Sequence, residues 1–207
     1  MSTMATDNGS RPLAANSITD FLKVLAAKTP SPGGGCTAAL AGALAAAQAQ
    51  MVVEYSIGKK SLAAHQATLT EYRQRLENIR VLFLRLMDED AAAYAQLSPW
   101  LKQAPAERGA VAGFQSAVIA ALRAPQTTLA LANERLECCF ALAQISNPVL
   151  ASDLRVAEDI AAACGRSALR NVDVNLPLLP NAQTHTQERA MTDELSAHLN
   201  ELIAKID

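Results

Sequence analysis

Aromatic side chains are scarce in this chain, since Phe, Tyr and Trp together make up 4% of its 207 residues. Regular alternation of apolar and polar residues is also missing, so a β-sandwich, which would use β-branched and aromatic residues in that pattern, is disfavoured. Half of the residues are apolar and alanine dominates them, which favours closely packed helices. We predict an all-α fold, a bundle of about seven helices with one long central helix.

An excess of charge of either sign is missing as well, because 18 Lys and Arg accompany 20 Asp and Glu. The basic residues are scattered, so we predict no nucleic-acid partner. The run from Cys36 to Val53 is long and uncharged. Alanine is only weakly apolar, however, and Gln48 and Gln50 interrupt the run. We therefore interpret it as a buried helix and predict no membrane partner.

Metal-binding and targeting patterns are absent from the sequence. The four cysteines form no CxxC pair and have no ligand spacing with the three histidines, so we predict reduced thiols, no metal and no permanently bound cofactor. The first residues lack the apolar segment of a signal peptide, and we expect a cytoplasmic protein. Residues 1–16 are predicted to be a disordered tail, and residues 17–207 a single helical domain.

Capping and helix-breaking residues predict the helix boundaries. The long helix begins after Ser61 and ends at Pro99, and its apolar stripe advances in steps of three and four residues. Pro125 suits the first turn of a separate helix. Of the other predicted helices, the first begins at Ser17, and two more span about residues 36–57 and 107–122. Another follows Asn147-Pro148 and ends near Pro177. The last begins at Thr184 or Thr186.

The segment Thr29–Ala39 contains two prolines followed by Gly33, Gly34 and Gly35. Three glycines allow another group to approach the backbone closely. A glycine loop at the start of a helix also leaves N–H groups unpaired, which can bind an anion. The alternative interpretation is a tight turn that lets an alanine-rich helix pack near a neighbour.

Two ionisable residues, His65 and Asp90, lie on the apolar stripe of the long helix. We expect His65 to be a partly exposed or hydrogen-bonded core residue. A carboxylate on such a stripe is costly to bury without partners, and burial changes its pKa. Asp90 therefore either faces a pocket between helices or belongs to a solvated acidic turn with Asp88 and Glu89.

Further polar candidates are Lys59, Asp153, Asn171 and Asn175. Lys59 follows Gly58 at the end of a predicted helix, where it either complements the helix dipole or turns into a cleft. Asn171 and Asn175 are four residues apart and share a helix face. Asp153 lies roughly 27 Å from Asn171 on a continuous helix, so one small pocket in one chain does not hold both. Helix capping is the alternative role for Asp153.

Five motifs occur together in the order found in the cyclodeaminase/cyclohydrolase family, which the chain resembles from Ile18 to its last helix. They are Pro30-Ser31-Pro32-Gly33-Gly34-Gly35, Ser56-Ile57-Gly58-Lys59-Lys60, Asp90-Ala91-Ala92-Ala93-Tyr94, Ser152-Asp153-Leu154 and Asn171-Val172-Asp173-Val174-Asn175. The family includes bacterial methenyltetrahydrofolate cyclohydrolases and the cyclodeaminase half of formiminotransferase-cyclodeaminase.

The resemblance implies an all-helical homodimer that acts on a one-carbon-loaded tetrahydrofolate as its substrate. It also implies that Asp90 is the catalytic carboxylate and Lys59 a proton donor or carboxylate-binding cation. The residues implied in substrate binding are Ser31, Gly33, Gly34, Gly35, Cys36, Asp153, Asn171 and Asn175.

Three functions are compatible with this resemblance. We favour a cyclohydrolase that makes 10-formyltetrahydrofolate, because no formiminotransferase domain accompanies the sequence. A cyclodeaminase that releases ammonia is the first alternative, and a non-catalytic dimer that binds folate or a protein is the second. Cys36 and Asn181-Ala182-Gln183 depart from the family pattern, which usually has Ser or Ala and an acidic stretch there.

Overall fold

The chain forms a helical bundle, which a computed structural model describes over residues 12–108 and 112–206. Those ranges contain no strand, and the all-α prediction is confirmed. Six helices have at least eight residues, and α4 is a single turn. The helices are α1 (Ile18–Leu25), α2 (Gly34–Glu54), α3 (Gln66–Leu101), α4 (Pro105–Arg108), α5 (Ala112–Ile145), α6 (Ala151–Asn175) and α7 (Ala182–Ile203).

Helix α2 packs against α3, α5 and α6. Its alanines allow the close approach that the composition predicts, because Ala39, Ala46 and Ala49 are fully buried. Gly42 faces the ring of Phe83 so closely that an added Cβ would overlap the ring. By length and composition α2 is apolar enough to cross a membrane, but 56% of its most apolar window is buried in the fold.

Helix α3 is the predicted long helix, and the apolar stripe is buried as expected at Leu69, Leu76 and Phe83. Its start was predicted too early, since the segment Lys60–His65 is a 3-10 helix and α3 begins at Gln66. Its end was also wrong. Pro99 lies inside the last turn, and the helix continues to Leu101.

The helix break predicted at Pro125 is absent. Helix α5 continues through this proline from Ala112 to Ile145, so two predicted helices are one. Pro125 is buried. Tertiary contacts override the helix-breaking tendency of the residue here, as they often do for local propensity.

The N-terminal prediction was partly wrong. Residues 1–11 of the predicted disordered tail lie outside the described residues. Residues 12–16 are ordered, because Leu13–Ala15 form a 3-10 turn whose Leu13 N–H donates to Asp88 Oδ1 at 2.8 Å. Ser17 caps α1 as predicted, accepting a hydrogen bond from the Asp20 N–H at 3.1 Å.

Candidate functional site

The glycine loop meets α3 at the first turn of α2. Gly33 is the N-cap of α2 and offers no side chain to the free N–H groups of that turn. Asp90 supplies the missing acceptor from α3, since the Cys36 N–H donates to its carboxylate. The carboxylate predicted to face a pocket between helices therefore lies against the glycine loop, and one of the N–H groups predicted to be unpaired is already bonded.

Close approach, rather than a special backbone conformation, requires glycine in this loop. A Cβ on Gly35 would overlap the Asp90 carboxylate. A Cβ on Gly34 would lie 3.0 Å from Asn171 Oδ1. The one positive-φ glycine of the described residues is Gly58, at the other end of α2.

Cys36 lies behind Asp90 and does not face the cavity. Its side chain is fully buried, and its thiol lies 3.3 Å from both Asp90 Oδ2 and the Met87 carbonyl oxygen. Burial raises the pKa of this thiol to about 11, so it is a neutral hydrogen-bond donor at pH 7. Direct substrate binding, predicted for Cys36, does not fit this position.

Asp90 is a half-buried carboxyl group whose surroundings change its proton affinity. Burial raises its pKa above the ordinary value, and the hydrogen bonds from the Cys36 thiol and N–H oppose that rise. A carboxyl group with a raised pKa exchanges protons closer to neutral pH than an ordinary aspartate. This property suits a general base or acid.

A cavity of about 320 Å³ opens in front of Asp90. Its walls come from the glycine loop and from α3, α5 and α6. The lining residues include Ser31, Gly33, Gly34, Gly35, Asp90, Tyr94, Leu97, Ala121, Asn171, Val174 and Asn175. Among these described residues, Asp90 alone is charged at neutral pH.

Two asparagines of α6 form the wall opposite α3, as their shared helix face predicted. Asn171 Nδ2 donates to the Ser167 carbonyl oxygen at 2.8 Å. Asn175 Nδ2 donates to the Ala121 carbonyl oxygen of α5 at 3.1 Å. Both side-chain amides are therefore held in place at the edge of the cavity.

Lys59 and Asp153 lie at the opposite end of the bundle from Asp90. Lys59 is exposed beyond the C-terminus of α2, and the 21 residues of that helix separate it from the glycine loop by about 30 Å. Asp153 accepts a hydrogen bond from Gln48 Nε2 at 3.1 Å. Neither residue lines the cavity within one subunit.

Tyr94, Leu97, Ala121 and Val174 line the cavity and were not predicted as site residues. Tyr94 is four residues after Asp90, so the helical period could have placed it on the same face. Ala121 lies on a helix that no sequence pattern connects to the glycine loop. The described residues contain no group of three metal-ligating side chains.

The sequence and the fold match those of known proteins. A family model described as formiminotransferase-cyclodeaminase matches residues 17–194, which is most of the chain. This chain belongs to the formiminotransferase-cyclodeaminase family. The crystal structure of a formiminotetrahydrofolate cyclodeaminase from Thermotoga maritima shares the fold, with a TM-score of 0.86 over 94% of this chain and 95% of that one, at 22% sequence identity.

The curated relatives similar to this chain include proteins of two kinds. A methenyltetrahydrofolate cyclohydrolase of Methylorubrum extorquens is 31% identical over 192 residues, which cover 91% of this chain and 89% of that protein. Formimidoyltransferase-cyclodeaminases of Dictyostelium discoideum and Gallus gallus are each 26% identical. The chain spans 36% and 33% of their respective lengths.

Proposed function

We propose that this protein hydrolyses 5,10-methenyltetrahydrofolate to 10-formyltetrahydrofolate. The one-carbon bridge of this substrate is an amidinium-like cation. Asp90 carries this proposal, because its carboxylate is the single charged group among the described residues that line the cavity. A half-buried anion without a cationic neighbour in the lining is complementary to a cationic ligand.

Asp90 is also the group proposed to move protons. Its carboxylate accepts a proton from water as the water oxygen bonds to the bridge carbon, which gives a neutral hydrated intermediate. One carbon–nitrogen bond then breaks, the departing nitrogen gains a proton and the intermediate hydroxyl loses one. The products are the formyl compound and one released proton, so atoms and charge balance. The raised pKa of Asp90 favours this transfer.

Cyclodeamination is the second candidate, because the family and two relatives of this chain are named for that activity. In this reaction a formimino group closes the ring and expels ammonia, and the same carboxyl group would serve as acid and base. The cyclohydrolase relative matches over most of its own length, which favours hydrolysis.

The proposed assembly is a homodimer that forms through the outer face of α2. No charged residue lies between Lys28 and Glu54 in the sequence, yet Leu44 and Tyr55 are 54% and 63% exposed. An apolar, uncharged stripe of this length is unusual on a monomer. Two α2 helices that pack antiparallel about a two-fold axis would cover it.

This pairing would also bring together the two ends of the bundle. An axis near Leu44 would place the C-terminus of each α2 beside the glycine loop of the other subunit. Lys59 of the partner subunit would then reach the cavity, where its ammonium group would bind a folate carboxylate or supply a proton. The 30 Å distance within one chain is the reason that a second copy is needed.

Absorbance of the methenyl group tests the reaction. We expect purified protein to accelerate the loss of methenyl absorbance beyond the buffer rate, and Asp90→Asn to remove that acceleration, a loss of roughly 100- to 10,000-fold. A rise in methenyl absorbance from formimino-tetrahydrofolate would instead indicate the cyclodeaminase. Near-normal turnover by a folded Asp90→Asn variant would remove Asp90 from the mechanism.

Mixed dimers test the shared site. Asp90→Asn and Lys59→Ala are each expected to be inactive as homodimers. Exchange of their subunits regenerates one intact site in each mixed dimer, and activity should return to about a quarter of the wild-type value. If both variants are inactive and mixing restores nothing, the two residues do not act in one shared site.

A further inference from the structure

The hydrogen bond between Asn175 and α5 results from a proline. Pro125 lies inside α5 and has no N–H, so the carbonyl oxygen four residues earlier, at Ala121, loses its helical partner. Asn175 Nδ2 donates to that oxygen at 3.1 Å. A side chain of α6 therefore satisfies the backbone group that Pro125 leaves free.

This contact fixes which end of the amide faces the cavity. A carbonyl oxygen only accepts hydrogen bonds, so the atom of Asn175 that faces Ala121 must be nitrogen. The oxygen Oδ1 is then the atom left for a ligand. Asn171 is held in the same way, because its Nδ2 donates to the Ser167 carbonyl oxygen at 2.8 Å.

Two opposite walls of the cavity consequently present side-chain acceptors, beside the backbone N–H donors of the glycine loop. Asp90 lines the cavity from α3, and Asn171 and Asn175 line it from α6, each with its Nδ2 already bonded and its oxygen left to accept. Ligands with several N–H donors satisfy the Asp90 and asparagine oxygens, whereas a ligand that offers only acceptors to them leaves these half-buried groups unpaired.

We propose that Pro125 is a positioning residue that, through the Ala121 carbonyl, fixes Asn175 as a hydrogen-bond acceptor for an N–H-rich ring. A reduced pterin, with its exocyclic amino group and ring N–H groups, belongs to this chemical class. The identity of the ring rests on the proposed function, whereas the fixed amide rests on the hydrogen bond alone.

Pro125→Ala is the first test. The variant regains an N–H that competes for the Ala121 oxygen, so the hydrogen bond from Asn175 is weakened and its amide is held less firmly. We expect KM for the methenyl substrate to rise roughly tenfold, which corresponds to about 1.4 kcal/mol, with little change in kcat because Asp90 is untouched. An unchanged KM overturns the inference.

Pro99→Ala is the matched control, because it also removes a proline from inside a helix. Pro99 and Ala95, four residues before it, are exposed, and neither lines the cavity in front of Asp90. This variant should have the wild-type KM. An equal rise in KM for both variants would mean that the effect comes from helix geometry in general, and would overturn the role of Pro125.

A double-mutant cycle tests whether Pro125 acts through Asn175. Asn175→Ala alone should raise KM by at least as much as Pro125→Ala. The double variant should then match Asn175→Ala, since the amide that Pro125 positions is gone. Additive effects of the two substitutions would contradict the inference.

The side-chain amide of Asn175 gives a readout that needs no turnover. In the NMR spectrum, its two proton signals, identified by their loss in Asn175→Ala, should exchange slowly with water in the wild type and faster in Pro125→Ala. Equal exchange in both proteins would overturn the inference even if the methenyl substrate is hydrolysed. If no folate substrate is turned over but the amide of Asn175 still exchanges faster in Pro125→Ala than in the wild type, only the proposed function is refuted.

Discussion

Two cavities of the same volume, about 320 Å³ each, lie at opposite ends of the bundle. Each has a carboxyl group in its wall whose pKa is raised by burial: Asp90 at the glycine loop and Glu158 between the end of α5 and the start of α6. Arg155 lies 3.2 Å from Glu158, and Lys205 lines the same cavity. The lining of the Asp90 cavity contains no such cation among its described residues.

The two carboxyl groups differ in their surroundings. Glu158 has a basic partner within the protein, whereas the cavity beside Asp90 leaves room for a cationic ligand. The charge of Glu158 is balanced within the protein, so a cationic ligand gains little by entering its cavity. Asp90 receives hydrogen bonds from Cys36 but no compensating positive charge from the cavity wall. A buried or half-buried carboxylate indicates function only when the surrounding charges are known.

Of the substitutions that test the comparison between the two cavities, Gly35→Ala should produce the largest effect. The new Cβ would occupy the space of the Asp90 carboxylate, so the carboxylate must move by an ångström or more. We expect kcat/KM for the methenyl substrate to fall roughly 100-fold, because displacement on this scale costs that much when geometry is essential.

Gly42→Ala is the control for the Gly35 variant. It adds the same methyl group to the same helix and overlaps Phe83 instead of Asp90, so it should destabilise the protein by about 1–3 kcal/mol. The specific activity of its folded fraction should stay near the wild-type value. Equal activity losses in both variants would mean that α2 packing, and not Asp90 placement, limits turnover.

Arg155→Met should give an intermediate effect at the other cavity. Glu158 is 3% exposed and Arg155 is 60% exposed, so solvent screens the pair and the expected loss of stability at pH 7 is only about 1–2 kcal/mol. The loss should shrink as the pH falls, because a raised pKa lets Glu158 take up a proton and become neutral.

Urea unfolding of the Arg155 variant at neutral and acidic pH measures this change, and methenyl turnover should remain at the wild-type level. Reduced turnover in a stable variant would contradict the view that the Glu158 cavity contributes to stability and not to catalysis. A destabilisation that grows as the pH falls would have the wrong sign for a raised Glu158 pKa.

Asp90→Asn should have the smallest effect on stability, and it should make the folded protein slightly more stable. The charged form of Asp90 is disfavoured in the folded protein because burial raises its pKa. Its ionisation therefore lowers stability as the pH rises through the folded pKa, and a neutral amide avoids that loss. The variant should unfold at a slightly higher urea concentration than the wild type at pH 7.

The stability difference for Asp90→Asn should disappear as the pH falls below the ordinary aspartate pKa of about 3.9. A variant less stable than the wild type at pH 7 would indicate that the hydrogen bonds from Cys36 to the carboxylate outweigh the cost of burial. Activity loss together with a gain in stability would fit a carboxylate retained for chemistry.

Much of the fold and part of the site could be predicted from local patterns. The stripe of α3 placed Asp90 among buried residues because a helical period is a local property. The four-residue spacing of Asn171 and Asn175 placed both on one face for the same reason. Pro125 was assigned wrongly because its neighbour Asn175, which satisfies the freed carbonyl, is fifty residues away in the sequence.

The sequence by itself determined the helical class, the buried stripe of α3 and the polar residues that interrupt apolar helix faces. Each of these follows from the identities of residues within a few turns of one another. Only the tertiary structure decided that Cys36 lies behind Asp90, that Lys59 is a helix length from the cavity and that Glu158 has Arg155 beside it. These facts depend on how helices pack, and packing brings together residues whose separation along the chain carries no such information.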